Sequence, residues 1–140
     1  MNKPSDNIVN LVRDLLLRAI DARASDVHFD PGDKHMNVRF RLNGILEDVE
    51  RLPVAVAPNI VARLKVLAGL LTYRSDLPQE GGIPQKNSDF PCDLRVATFP
   101  TIRGERVVVR IMAHACRFIT LDRLGYDPDL LDRLRRHLNR

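Results

Sequence analysis

The chain is poor in cysteine and in aromatic residues. Of its 140 residues, two are cysteine, Cys92 and Cys116, none is tryptophan, and 5% are aromatic. Neither cysteine belongs to a C-x-x-C pair, so the sequence offers no ligand set for zinc and no redox dithiol. We interpret both as small apolar side chains of the core. The shortage of aromatic residues argues against a surface that stacks nucleic-acid bases.

Long apolar segments are also missing. No apolar run approaches the length of about 20 residues that a membrane-spanning helix needs. Charged residues interrupt the apolar positions near the start of the chain, unlike in a secretory signal: Asp6, Arg13, Asp14 and Arg18. This pattern predicts a cytoplasmic location. The formal net charge is +4, but lysine and arginine are spread along the chain, so we expect no nucleic-acid partner.

The spacing of apolar residues predicts an α+β domain whose helices pack on an antiparallel sheet. Helical spacing occurs in three segments: residues 6–23, a segment that begins near Pro58, and one that begins at Asp127 or Pro128. Alternating patterns typical of strands occur in five segments: residues 26–30, 36–42, 45–51, 92–99 and 105–112.

Turn-forming residues connect these segments. Asn43-Gly44 separates the second and third strands and predicts a hairpin, because both residues tolerate a positive φ. Residues 72–91 are rich in proline and glycine and predict a long loop with turns. We expect irregular structure over residues 113–126.

The last two strands carry arginines at matching positions. If Pro100 pairs with Glu105 across a four-residue loop, Arg95 lies directly opposite Arg110 on one face of the sheet. Like charges placed opposite each other are destabilising unless an anion lies between or above them. A phosphate or carboxylate would resolve the conflict. The simpler alternative is a solvated face, or ion pairs with Asp93 and Glu105.

The same argument is weaker for the arginines of the second strand, Arg39 and Arg41. The hairpin register places Arg39 opposite Asp48, where the two can form a surface ion pair. An anion is therefore not needed to explain Arg39.

A histidine lies between carboxylates in the first strand. Asp26, His28 and Asp30 alternate along one face and could share a metal ion. No further ligand is evident nearby, so we expect a structural or solvated role and no metal.

The sequence contains no catalytic constellation of its own. Its remaining histidines are scattered: His35, His114 and His137. The segment from Gly81 to Asn87 has no glycine directly before Lys86 and no hydroxyl after it, and Pro84 removes an amide. It therefore cannot form a phosphate-binding P-loop, and we expect the chain alone not to hydrolyse ATP.

Five motifs, taken in order, resemble those of one family, the type II secretion and type IV pilus assembly ATPases. They are A-S-D-V-H-F-D-P at 24–31, V-R-F-R-L-N-G-I-L at 38–46, R-L-K-V-L-A at 63–68, L-P-Q-E-G at 77–81, and D-L-R-V-A-T-F-P-T-I-R-G-E-R-V-V-V-R-I-M at 93–112. The last motif is the most specific. The resemblance covers nearly the whole chain, from about residue 7 to residue 140.

The resemblance implies a division of the chain. Residues 1–112 match a PAS-like N-terminal regulatory domain, and residues 113–140 match a linker and first helix leading to a RecA-like ATPase domain. That motor domain, which we expect to follow, would hold ATP and Mg²⁺, so no cofactor is expected in this chain. The implied partners are this motor domain, neighbouring subunits of a homo-hexamer, and inner-membrane platform proteins of a secretion or pilus machine. The implied location is cytoplasmic and peripheral at the inner membrane.

The resemblance also implies site residues. Arg95 and Arg110 match family arginines that reach nucleotide phosphates held on the motor domain, and Arg106 is a weaker candidate. Gly82 stands where family members usually have an arginine, so a contact by that arginine is in doubt here. The subtype, secretion or pilus assembly, is left open. The alternative function is a freestanding PAS-like sensor or adaptor with a small-molecule pocket between helix and sheet.

Overall fold

The structure is a computed structural model that describes residues 4–112, 121–123 and 125–138. Within these ranges the elements are α1 (Pro4–Asp21), β1 (Asp26–Pro31), β2 (His35–Leu42), β3 (Ile45–Pro53), α2 (Ala57–Leu67), β4 (Gln79–Ile83), β5 (Leu94–Thr101), β6 (Gly104–Ile111) and α3 (Pro128–Leu138). Short 3-10 turns lie at Val54–Val56, Gln85–Asn87 and Leu121–Arg123. Cys116 and most of the predicted irregular segment 113–126 lie outside the described residues.

The strands form one antiparallel sheet in the order β3-β2-β1-β6-β5-β4. The predicted α+β class is therefore confirmed. β1 occupies the interior, hydrogen-bonded to β2 on one side and to β6 on the other. The hairpin turn between β2 and β3 also forms as predicted, with φ of 50° at Asn43 and 85° at Gly44.

The hydrophobic core lies between one face of the sheet and the two helices α1 and α2. Helix α1 contributes a fully buried stripe at three- and four-residue spacing: Val12, Leu15, Leu16 and Ala19. Helix α2 adds Ile60 and Leu64, and the strands supply alternate residues such as Val27 and Phe29. Burial of one large apolar side chain stabilises a fold by about 1.5–3 kcal/mol, so this layer holds the domain together. Cys92 is part of it, as predicted.

The predicted long loop over residues 72–91 contains a strand. β4 pairs with the edge of β5, with Gly82 opposite Arg95. Its sequence, QEGGI, lacks the alternation of apolar and polar residues that is typical of a strand, because two of its five residues are glycines without a side chain. Gly81 is required here, since a Cβ would lie 2.4 Å from the carbonyl oxygen of Ala68.

Helix α3 is amphipathic but contributes nothing to the core. None of its residues is buried, and Leu130 and Leu138 are 42% and 68% exposed. None of the helices in the described ranges has the length and apolar character needed to cross a bilayer.

Candidate anion-binding site

Five arginines of the interior strands project from the sheet face opposite α1 and α2. They alternate with core residues along three strands, as the period of two in a strand requires. We call this set the arginine face: Arg39 and Arg41 on β2, Arg95 on β5, and Arg106 and Arg110 on β6. The side chains of the last three are each at least half exposed.

The register of the last hairpin agrees with the prediction. Arg95 lies opposite Arg110, and Pro100 lies opposite Glu105. The turn is tighter than the four-residue loop expected, because pairing continues to Thr101 and Gly104. The hydroxyl of Thr101 donates to the Gly104 carbonyl at 2.6 Å, and Gly104 adopts a φ of 118°, which glycine favours.

Asp26 on the interior strand holds two of these arginines. Its Oδ1 accepts a hydrogen bond from Nε of Arg110 at 3.0 Å. Its Oδ2 accepts one from the hydroxyl of Ser25 at 2.8 Å and lies 3.4 Å from Nε of Arg41. The side chain of Asp26 is only 8% exposed, so the arginines and the strand shield it from water.

Asp30 holds two more arginines in the same way. Arg39 donates from Nε and Nη2 to one carboxylate oxygen at 3.0 and 2.6 Å, and Nε of Arg106 lies 2.5 Å from the other oxygen. The predicted partner of Arg39 was wrong. The register does place Arg39 opposite Asp48, beside a register shift between Val38 and Arg39. Arg39 nevertheless pairs with Asp30, whose side chain is much better shielded from water than that of Asp48.

Arg95 is held loosely by comparison. Its Nε lies 3.1 Å from a carboxylate oxygen of Glu80 on the edge strand, and both side chains are more than half exposed. The alternative in which Asp93 and Glu105 neutralise the arginines is wrong. Asp93 accepts a hydrogen bond from the backbone amide of Gln85 at 2.8 Å, and Glu105 pairs with Lys65 at 2.6 Å.

The arginine face shifts the ionisation of two residues of β1. Burial alone raises the pKa of Asp26, but hydrogen bonds from Ser25 and Arg110 and the charge of Arg110 prevail and lower its pKa below the ordinary value. Burial lowers the pKa of His28, assisted by the charges of Arg41 and Arg39 and opposed by Asp30 and Asp26. Asp26 is therefore a carboxylate and His28 a neutral imidazole at neutral pH.

The two carboxylates among the possible metal ligands have other partners. The carboxylates of Asp26 and Asp30 are each engaged by two arginines. The buried Nε2 of His28 has no hydrogen-bond partner among the described residues. Within the same ranges, no three histidine, cysteine, aspartate or glutamate residues are grouped so that they could hold a metal ion.

A cavity of about 460 Å³ lies away from the arginine face, between α2 and the turn of the β5–β6 hairpin. Its walls are largely apolar, and its polar end contains the buried pair Lys65 and Glu105. Lys65 is 1% exposed and also donates to the carbonyl of Arg74 at 2.6 Å. No motif in the sequence predicts this pair, because Lys65 lies on α2 and Glu105 on β6.

Comparisons with known proteins point to one family. The family model described as "Type II/IV secretion system protein" matches residues 2–140. The chain is 42% identical to Type IV pilus assembly ATPase PilB of Pseudomonas aeruginosa over 87% of this chain and 22% of that protein. It is 33% identical to Type II secretion system protein E of Xanthomonas campestris pv. campestris over 94% of this chain and 23% of that protein. The chain thus spans less than a quarter of the length of either relative.

The fold is similar to part of a solved structure. The crystal structure of the pilus retraction motor PilT with bound ADP matches 85% of this chain and 33% of that chain, with a TM-score of 0.55 and 14% sequence identity. At this identity the match shows a shared fold.

Proposed function

The chain belongs to the type II/IV secretion system protein family, and we propose that it is the N-terminal regulatory and assembly domain of an ATPase that powers type II secretion or type IV pilus assembly. Its matches to a pilus assembly ATPase and to a type II secretion protein E support this role and leave both subtypes open. The PAS-like description remains a prediction from the resemblance.

The opposed pair Arg95 and Arg110 carries the proposal. Their strands are adjacent, and each guanidinium group is held at Nε by one carboxylate, Glu80 for Arg95 and Asp26 for Arg110. Both side chains stay about two-thirds exposed on the face that α1 and α2 do not bury, so their terminal nitrogens are able to bind one anion from both sides. We propose that the anion is a phosphate of the nucleotide held on the motor domain, where positioned cations stabilise the transferring phosphoryl group.

The rest of the proposed assembly comes from the family resemblance. The domain would close over ATP and Mg²⁺ on the RecA-like motor domain and pack against neighbours in a homo-hexamer. Turnover would then drive rigid movements of this domain that reach the inner-membrane platform of the machine. The proposed location is cytoplasmic, peripheral at the inner membrane.

The test uses the longer protein in which this chain and the proposed motor domain are joined. Arg95→Ala and Arg110→Ala should each lower ATP turnover by about a hundredfold, the scale found when one charge-stabilising donor is removed. Arg51→Ala is the matched control, because Arg51 is an exposed arginine that pairs with Asp48 on the edge strand β3, three strands away from Arg110 on β6. Unchanged turnover in both face variants would reject the phosphate contact.

The cavity beside Lys65 supports one alternative function, that of a freestanding sensor or adaptor without a motor domain. A cavity of about 460 Å³ is large enough for a small molecule. However, Lys65 and Glu105 already neutralise each other at its polar end. If the reading frame continues into a glycine-rich loop ending in Lys and Ser or Thr, the freestanding sensor is excluded.

A further inference from the structure

Arg110 is fixed at one edge and open at the other. Its hydrogen bond to Asp26 uses only Nε, and its terminal nitrogens donate no hydrogen bond to any described residue. A guanidinium group has five N–H donors in a planar fork, so anchoring at Nε leaves the outer pair of nitrogens able to bind a phosphate bidentately. The side chain is 66% exposed, which keeps this outer edge accessible.

Asp26 provides a rigid anchor for Arg110. It lies on the interior strand β1, its side chain is 8% exposed, and Ser25 fixes its second oxygen. Its lowered pKa keeps it ionised at neutral pH. Arg95 has no comparable anchor, since its partner Glu80 is 58% exposed on the edge strand β4. The two arginines therefore differ: Arg110 is preorganised and Arg95 is free to adjust.

We propose that Asp26 is a positioning residue that holds Arg110 by Nε so that the terminal nitrogens of Arg110 face a phosphate presented by the motor domain. This inference rests on the proposed function. It assigns a role to the aspartate of A-S-D-V-H that the arginine pair alone does not explain. It also gives a reason why a carboxylate oxygen lies 3.0 Å from Nε of an arginine that is proposed to bind an anion.

Positioning and simple electrostatics predict opposite effects when Asp26 is removed. By Coulomb's law, loss of a negative charge beside Arg110 strengthens the attraction of the face for phosphate. Under positioning, the loss frees a long side chain with many rotamers, and misplacement of a group that acts in the transition state lowers the rate. The direction of the change therefore decides between the two.

The experiment measures ATP turnover of Asp26→Ala in the longer protein. We expect kcat to fall by about tenfold with little change in KM, because an interaction made mainly in the transition state is weakened. Asp30→Ala is the matched control: it removes the same charge from the same strand and also leaves two arginines unpaired, but not Arg110. Its turnover should change less than that of Asp26→Ala, and thermal melting should show similar destabilisation for both.

Two further measurements separate positioning from a general structural role. In an Arg110→Ala background, Asp26→Ala should cause no further loss of kcat, because the two residues act as one unit. In the 140-residue chain, the ¹⁵Nε–H resonance of Arg110 should be protected from exchange, and Asp26→Ala should remove the protection. If Asp26→Ala does not fold, Ser25→Ala, which removes the hydroxyl that donates to Oδ2 of Asp26 at 2.8 Å and to the Arg41 carbonyl at 3.4 Å, should lower kcat in the same direction by a smaller factor.

The outcomes also distinguish this inference from the proposed function. If Arg110→Ala lowers turnover while Asp26→Ala leaves it unchanged or raises it, the positioning role is rejected and the phosphate contact stands. If neither Arg95→Ala nor Arg110→Ala affects turnover, the proposed function is rejected, and the inference with it.

Discussion

At the scale of single residues, the ion pairs of this domain are either buried or exposed, and the two kinds contribute very differently to its stability. Lys65 with Glu105 is almost wholly shielded from water, whereas Arg95 with Glu80 is mostly solvated. An exposed ion pair contributes about 0–1 kcal/mol because water and salt screen it. A buried charge that loses its partner is not stabilised by water, so the loss in free energy of unfolding is several times larger.

Glu105→Gln should therefore destabilise the domain by about 3 kcal/mol, since it leaves the ammonium group of Lys65 buried without a counter-charge. Urea denaturation of the 140-residue chain measures this free energy of unfolding. Glu80→Gln is the control and should change it by less than about 1 kcal/mol. Equal effects for the two variants would contradict the burial of the Lys65 pair.

The lowered pKa of His28 predicts a pH dependence of stability. The unfolded chain takes up a proton at an ordinary pKa of about 6.5, whereas the folded chain resists it because burial and the nearby arginines disfavour the imidazolium. The contribution of His28 is thus fully present above about pH 6.5 and is lost as the pH falls toward the lowered folded value. The contribution of Asp26, whose pKa is also lowered, is fully present above about pH 4 and is lost only as the pH falls below that value.

His28→Gln should consequently flatten the decline of unfolding free energy between about pH 7 and about pH 5. The slope removed is at most about 1.4 kcal/mol per pH unit, the value for one proton. His35→Gln, at an exposed position on β2, is the control. A slope that persists unchanged in His28→Gln would show that another group titrates there.

At the scale of elements, local signals were readable from the sequence and long-range pairing was not. The β2–β3 hairpin and the opposition of Arg95 and Arg110 depend on turns of a few residues, and both agree with the prediction. The contact of Asp26 with Arg110 joins residues 84 positions apart, because β1 lies between β2 and β6. The periodicity of one strand does not indicate which other strand will be its neighbour. The sequence therefore did not predict that Asp26 and Asp30 pair with the arginine face.

The strand β4 illustrates a second limit. Its two glycines favour a loop in the sequence-based prediction. In the sheet, the two glycines have different surroundings. Gly81 lies against the segment that follows α2, where a Cβ would approach the Ala68 carbonyl oxygen to 2.4 Å and a Leu70 methyl carbon to 2.8 Å. At Gly82 the nearest atom to such a Cβ would be the Leu94 carbonyl oxygen at 3.9 Å.

Gly81→Ala should therefore destabilise the domain by about 1–3 kcal/mol, the usual range for overpacking. Gly82→Ala is the matched control and should be nearly neutral, since the added methyl group has space. Urea denaturation gives the two free energies, and hydrogen exchange of the β4 amides shows whether the strand detaches. Equal tolerance at both positions would mean that β4 does not pack as described.

At the scale of the whole molecule, the domain has two unequal faces. One face of the sheet is closed by α1 and α2 over an apolar core, and the other presents arginines anchored by carboxylates of the interior strand. A stable domain does not need the second face to be so rich in cations, and like charges at Arg95 and Arg110 oppose folding slightly. The proposed function offers a reason: the second face would act on a nucleotide held by another domain.

The most direct test of this account is a structure of the longer protein with a non-hydrolysable ATP analogue bound to the motor domain. The account predicts that guanidinium nitrogens of Arg95 and Arg110 lie about 2.7–3.2 Å from phosphate oxygens, with Nε of Arg110 still bonded to Asp26. An arginine face that is turned to solvent or to another protein surface in every subunit, with the nucleotide contacted only by other residues, would contradict it.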